Sequence, residues 1–451
     1  MLSQAAVVVE RGVEGGVMVL HALIFGRPPS LLERQMPRFP ASPRATIGAT
    51  SPPLPVRPVQ AMPMFPVLLI PDDAAPRERG RLYGAGAQRQ ARHSRDSYAR
   101  LFASCGIAWA EACARALQLQ PAIAQADPDL LDELAGIAEG SGLRLDEVLA
   151  LNCRTEILPP TFLGEASPAA DAALAANRAA GLPDWLDDAA LDPAIQDGEC
   201  TAMAVGAGAS ANGHTWLAQN WDWLGRQRQA LVLLQGHDGR GTRFTTLTEG
   251  GMLAKIGVNQ HGFALGLNIL RSLQDGTRPG VPVHVLLRRL LSCRSLAEAR
   301  GVLGALAAGP GFGAASNIPC ADAQGEVACF ELAPAGWAEL APQDGIVVHS
   351  NHFVCGALLP LQAPMSPALS SASRLDTARR HAGAGAPDLA SLQRFLRDES
   401  DGHLSVCRRP DPALPTEARV ESVAGIVIDC DERAMWVAPD VPSRCEFARV
   451  A

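Results

Sequence analysis

The sequence predicts a mixed α+β protein built in stacked layers, and three observations carry that expectation. Helical periodicity runs through the stretch from Asp96 to Gly140. Short apolar runs of strand length follow one another from Cys200 to Ile269. Helix and strand patterns then alternate to the C-terminus, with few polar positions inside the strands, which suits sheets packed face to face.

The elements follow in order. Residues 1–63 are rich in Pro, Arg and Ser, as in Pro52-Pro53-Leu54-Pro55. Proline fixes φ and donates no hydrogen bond, so this stretch reads as a disordered extension, or as the product of a start codon assigned too far upstream. Phe65 to Ile70 is a strand candidate, and Gly80 and Gly84 flank the start of a long helical region. Leu101, Cys105, Ala108, Trp109 and Ala112 recur at helical spacing and form a core stripe. Asp127-Pro128 opens another helix, with Asp as N-cap and Pro in the first turn, and Gly140 is expected to end it. A short helix from about Leu145 leads into Asn152-Cys153-Arg154-Thr155-Glu156. Ala166 to Leu191, rich in Ala, Asp and Pro, reads as a loop with one or two short helices.

After Cys200 the pattern turns to β. Thr201–Val205 and His214–Ala218 form a hairpin across Asn212-Gly213. Gly206, Gly208 and Gly213 open no helix, so a phosphate-cradling loop is excluded there. Strands are expected at Leu231–Leu234, Thr242–Leu247, Leu253–Val258 and Phe263–Ile269. A helix begins at Pro282, and Gly309–Ala315 is a loop. Strands at Val327–Glu331 and Gly345–His349, a helix at Leu389–Leu396, and a hairpin of Ala424–Asp429 with Ala434–Ala438 complete the chain.

Composition narrows the function. With 451 residues, 47% hydrophobic and 19% charged, the chain has the make-up of a globular protein with an ample core. A net charge of −8 without a long basic run excludes nucleic acid as the expected partner. No apolar run approaches the ~18–20 residues a membrane span needs, and Val17–Leu20 lacks the flanks of a secretory signal. The 11 cysteines are scattered, with no metal-finger spacing, so no disulfide framework is expected and a cytoplasmic location is. No metal and no cofactor are expected; His349-Ser350-Asn351-His352 has no carboxylate at a ligand spacing and reads as buried support near the nucleophile.

The chemistry centres on Cys200, which opens a strand after the polar turn Asp197-Gly198-Glu199. If the bond between Glu199 and Cys200 is cut, one residue offers both sulfur and a free amine. A thiol near pKa ~8.5 is only a few per cent thiolate at neutral pH. The α-amine titrates near ~7.7–8.0, lower when buried, and can serve as the base.

Ordered blocks extend this reading: Gly136–Gly140, Leu151–Glu156, Cys200-Thr201, Gln219-Asn220-Trp221-Asp222, Thr248–Gly251, Lys255–Asn259, Gly262, Asn268, Gly280-Val281-Pro282, His349–His352 and Ser405-Val406-Cys407-Arg408. With them the chain, from about Met64 onward, resembles the acyl-coenzyme A:isopenicillin N acyltransferase (6-aminopenicillanic acid acyltransferase) family of self-processing Ntn (N-terminal nucleophile) hydrolases. The resemblance implies a four-layer αββα sandwich and a precursor split into 64–199 and 200–451, the pieces remaining partners. It implies Cys200 as nucleophile, Asp222 in processing and catalysis, and Asn268 in the oxyanion hole. Arg408, Ser405 and Asn220 are support candidates. Two departures stand out. The family's penicillin enzyme has glycine where Glu199 precedes the cysteine here, and the segment from Leu158 to Gln196 looks longer.

The expected activity is that of an autoproteolytic amidohydrolase or acyltransferase, made as a zymogen, acting on a small-molecule amide or an acyl-CoA-like thioester through an acyl-enzyme. Arg154 and Glu156 admit two readings, structural charges or contacts to a substrate carboxylate; His349 and Asn351 are further substrate-binding candidates. Two rival readings stand beside it: an unprocessed, non-catalytic binding protein on the same fold, and a cysteine–histidine hydrolase using Cys153 or Cys407 with His349 or His352.

Overall fold

The computed structural model describes residues 65–160, 167–183, 200–365 and 370–451. The chain divides into two units, Met1–Gln60 and Ala61–Ala451. The first lies outside the described residues, as do Glu199 and, in the expected loop Ala166–Leu191, Ala166 and residues 184–191.

A strand, β1 (Val67–Leu69), precedes a helical layer: α1 (Pro76–Gly86), α2 (Gln88–Ser104), α3 (Trp109–Leu117), α4 (Gln120–Ala126), α5 (Pro128–Ser141), α6 (Leu145–Asn152), α7 (Arg154–Ile157) and α8 (Ala170–Ala179). Asp127 caps α5 by accepting from the Asp129 N–H at 3.1 Å, with Pro128 behind it. The helix runs past Gly140 and ends at Gly142, whose φ of +71° is the left-handed stop. Gly140 has another job. Gly80 and Gly84 of α1 face Gly136 and Gly140 of α5; a Cβ on Gly80 would lie 1.9 Å from the Glu133 carbonyl oxygen. These glycines sit inside their helices, letting two backbones touch, and do not punctuate them.

The β half contains β2 (Cys200–Val205), β3 (Trp216–Leu224), β4 (Leu231–His237), β5 (Arg243–Glu249), β6 (Ile256–Asn259), β7 (Ala264–Leu265) and β8 (Asn268–Ile269). After α9 (Val283–Leu290) and α10 (Leu296–Ala308) come β9 (Ser316–Ala321), β10 (Val327–Ala333), β11 (Gly336–Leu340) and β12 (Ile346–His349). Then follow α11 (Ser371–Ala382), α12 (Leu389–Leu396), β13 (Val420–Asp429), β14 (Ala434–Ala438) and β15 (Ala448–Arg449). The link from β2 to β3 is longer than the expected tight hairpin: a 3₁₀ turn at Ala207–Ala209 intervenes before Gly213, and β3 begins at Trp216. Helices α10 and α11 and strands β9 and β11 had no counterpart in the sequence reading.

One sheet has nine strands in the order β1-β4-β5-β6-β7-β9-β10-β11, with β8 also on β9; the other has six, β12-β2-β3-β13-β14-β15. The two sheets face each other, β2 and β3 packing on β9. Helix α2 packs toward the nine-stranded sheet, while α11 and α12 cover the outer face of the six-stranded one. The order is helix, sheet, sheet, helix, the four-layer αββα sandwich expected.

Side-chain alternation splits the central pair β2–β3 into two faces. Cys200, Ala204, Leu217, Trp221 and Trp223 belong to the large core between the sheets and beneath the N-terminal helices. Met203, Val205, Trp216 and Ala218 join α12 in a separate core.

Candidate active site

Cys200 is the first residue of β2, with Trp221 directly across on β3. Its backbone is fixed from three elements. Its N–H donates to Asn351 Oδ1 at 2.8 Å, just past the end of β12. Its carbonyl accepts from Arg374 Nη1 on α11 at 2.7 Å and from Asn268 Nδ2 on β8 at 3.3 Å. Arg374 also donates to Thr201 Oγ1 at 2.7 Å and to Asn351 Oδ1 at 3.0 Å. Burial pushes the thiol up, and the charge of Lys255 is the largest influence pulling it down. Burial alone therefore leaves a protonated sulfur, which needs a base.

Asp222 is one position past Trp221 on β3, so its side chain lies on the opposite face from Trp221 and Trp223. Its Oδ1 accepts from Ser422 Oγ at 2.6 Å, and Ser422 Oγ in turn accepts from the Arg408 N–H at 2.9 Å. Burial raises the carboxyl to about 7, against the opposing pull of Arg374 and Ser422. The charge of the Asp222 carboxylate pushes the Cys200 thiol further up, after burial.

The other expected residues sort by their contacts. Asn268 has both amide hydrogens occupied, by Cys200 O and by His349 O at 3.1 Å; an oxyanion at Asn268 has to displace one of them. Asn220 Nδ2 ties β3 to Leu396 O and Val406 O at 2.9 and 2.7 Å. Ser405 Oγ accepts from the Asp401 N–H and closes a local turn. Arg408 is fully buried beside the Asp222–Ser422 pair. His349 is buried against Glu331, Nε2 to Oε1 at 2.8 Å, a carboxylate partner that the spacing around His349 did not offer. Asn351 is a contact of the nucleophile's own nitrogen.

Arg154 and Glu156 part company. Glu156 Oε1 accepts from the Val283 N–H at 2.9 Å and caps α9, and burial lifts its carboxyl to about 7. Arg154 forms no ion pair with it. Its guanidinium lies 4.9 Å from the Trp223 ring centroid and 5.2 Å from that of Tyr98. Its Nε and Nη2 are buried without a hydrogen-bond partner.

No cysteine–histidine pair forms at the positions the rival reading named. His349 is held by Glu331, and His352 Nδ1 meets Ser371 Oγ at 2.7 Å. Burial pushes Cys407 up to about 11 and Cys153 further, and no histidine figures among the groups acting on either. Two residues were missed. Arg374 lay in a stretch assigned no element, where one arginine among Ser, Ala and Leu carries no signal of its own. Lys255 was seen only as part of a family block.

Residues 209–444 match the model of the acyl-coenzyme A:6-aminopenicillanic acid acyl-transferase family. Over 293 residues the chain is 25% identical to the acyl-coenzyme A:6-aminopenicillanic-acid-acyltransferase 40 kDa form of Emericella nidulans, covering 64% of this chain and 70% of that one. Among solved structures it is similar to penicillin V acylase from Agrobacterium tumefaciens, at 17% identity over 53% of this chain and 83% of the other, TM-score 0.37. It is also similar to a mutant conjugated bile acid hydrolase from Clostridium perfringens, at 10% identity over 56% and 96%, TM-score 0.38.

Proposed function

Since the chain belongs to the acyl-coenzyme A:6-aminopenicillanic acid acyl-transferase family, we propose that it is a self-cleaving enzyme that transfers acyl groups from a small amide or an acyl thioester through Cys200. One observation carries this reading: the nitrogen and carbonyl of a buried strand-opening cysteine are held by Asn351, Arg374 and Asn268. A cut before that residue frees an amine already anchored beside its thiol.

In turnover the amine takes the Cys200 proton and the sulfur attacks the substrate carbonyl. Asn268 turns from a backbone carbonyl to the developing oxyanion; loss of such a donor typically costs ~10²–10³ in rate. The proton passes to the leaving amine or thiol, and an acyl-enzyme remains. Water then gives hydrolysis, and an amine gives transfer. Asp222, held by Ser422, orients the amine or a water at this end of β3. Arg154 and Glu156 support the walls around the site.

The test is the mass of the purified protein. Two fragments, one beginning at Cys200, are expected in place of a 47.4 kDa chain, and Cys200→Ala should remain whole and transfer no acyl group. A Cys200→Ala protein still cut before residue 200 overturns the proposal.

A further inference from the structure

The chain has 39 basic side chains of the Lys and Arg type, and 38 of them are arginine; Lys255 is the one lysine in 451 residues. It is not on the surface, where lysine usually sits, but buried at 2% exposure. It enters the space between the sheets just before β6, its backbone N–H set on Thr246 Oγ1 at 3.3 Å. Its Nζ stands 3.5 Å from the ring centroid of Trp221, the residue across the strand pair from Cys200 and on the same face. Among the described residues no carboxylate lies within ion-pair distance of that nitrogen.

A chain that uses arginine at its 38 other Lys/Arg positions keeps a lysine over the ring of Trp221, the residue paired with Cys200. Arginine stays charged under all ordinary conditions, whereas a buried lysine can shed its proton. The uncut chain also has a specific chemical need. Before cleavage Cys200 has no free α-amine, so the base proposed for turnover does not yet exist. Asp222 is a buried carboxyl that also acts on Cys200, but its carboxylate is turned to the opposite face and held by Ser422.

We propose that Lys255 is the proton acceptor for Cys200 in self-cleavage, and that it hands this role to the new α-amine once the chain is cut; the inference rests on the self-cleaving reading above. Neutral Lys255 Nζ takes the thiol proton, and the sulfur bonds to the Glu199 carbonyl carbon. The bond from that carbon to the Cys200 nitrogen breaks, and the lysine ammonium returns its proton to the departing nitrogen. A thioester and a free amine result. Water then adds its oxygen to the acyl carbon and its hydrogen to the sulfur, releasing the Glu199 carboxyl and restoring the thiol.

The surroundings keep the amine neutral. Burial lowers Lys255 to about 7, and the charge of Arg154 on α7 adds to this; Glu249 on β5 and Cys200 on β2 pull the other way. Burial, and with it the charge of Arg154, pushes His284 on α9 well below the ordinary imidazole range. The orphaned guanidinium between Tyr98 and Trp223 thereby acquires a purpose, as a fixed positive charge that discourages a second one.

The single lysine makes the test direct. Lysine labelled with ¹³C at Cε gives one side-chain signal from the full chain. In Cys200→Ala protein that signal should titrate near neutrality, and a titration above pH 10 overturns the proposal. Lys255→Arg and Lys255→Met should self-cleave at least ~10²-fold more slowly than the parent, the usual contribution of a general base. Either variant cutting at the parent rate overturns the inference while leaving the self-cleaving reading intact. A parent chain that never cuts removes that reading and this inference together. Where both substitutions prevent folding, the lysine signal decides alone.

Discussion

The two faces of the β2–β3 pair differ in the kind of polar group they leave unpaired: acceptors, Asn220 Oδ1 and Asp222 Oδ2, on the outer face, and donors on the inner one. On the outer face Arg374, Asn220 and Ser422 make short hydrogen bonds to backbone and side chains of several elements. On the inner face the Trp221 and Trp223 indole nitrogens, two nitrogens of Arg154 and the Tyr98 hydroxyl are buried without hydrogen-bond partners. Unmade bonds of this kind cost free energy, and stable proteins tolerate few of them away from sites of function. The outer face holds the Cys200 backbone still, and the inner face sets the electrostatics around its sulfur.

The largest effect should come from the outer face. Arg374→Met removes a buried cation that serves the Cys200 carbonyl, the Thr201 hydroxyl and the Asn351 side chain together. Breaking such a buried charged network costs about 3–5 kcal/mol, so the urea midpoint should fall sharply. A loss under about 1 kcal/mol would break the contrast between the faces, since it means the network is ornamental.

Asp222→Asn sharpens the comparison with pH. A carboxyl whose pKa rises on folding favours the folded state fully below its unfolded value, and that contribution is lost as pH climbs through the folded one. For Asp222 the window runs from 3.8 to about 7. The amide carries no charge at either end. Asp222→Asn should therefore be more stable than the parent at pH 8, by on the order of 4 kcal/mol, with the gain gone below about pH 4. Melting temperatures across that range check this, and a pH-independent difference refutes the assigned burial cost.

The sequence disclosed the layered architecture more readily than the site. Period-2 runs and capped helices reveal themselves locally, so β4, β5, α5 and α12 were readable. The close contact of α1 with α5 was not, because glycine within a helix and glycine at its end look alike until the partner backbone is present. Cys200 was singled out by its place between a polar turn and an apolar run, with the family blocks behind it. Arg374 was hidden because its partner atoms are 173 and 174 positions away in the chain. Asn268 was marked by the family resemblance and Asn351 by a polar run at a strand end, yet only the fold shows that one holds the carbonyl of Cys200 and the other its nitrogen.

The smallest change in stability, and the most informative, should come from Arg154→Met. Methionine keeps an unbranched apolar chain against Tyr98 and Trp223 while deleting two buried nitrogens that bond to nothing. Removing an unsatisfied group relieves a desolvation cost as it forfeits stacking on the rings, so stability should stay within about 1 kcal/mol of the parent. The chemistry should move more than the fold. With its positive neighbour gone, Lys255 becomes easier to protonate, so its pKa climbs back toward the usual range. The rise of self-cleavage rate with pH should then shift to higher pH, with the plateau rate preserved once the amine is neutral. An unshifted profile detaches Arg154 from the lysine. A large loss of stability shows instead that the guanidinium is a satisfied structural group, and the inner face would then be no different in kind from the outer.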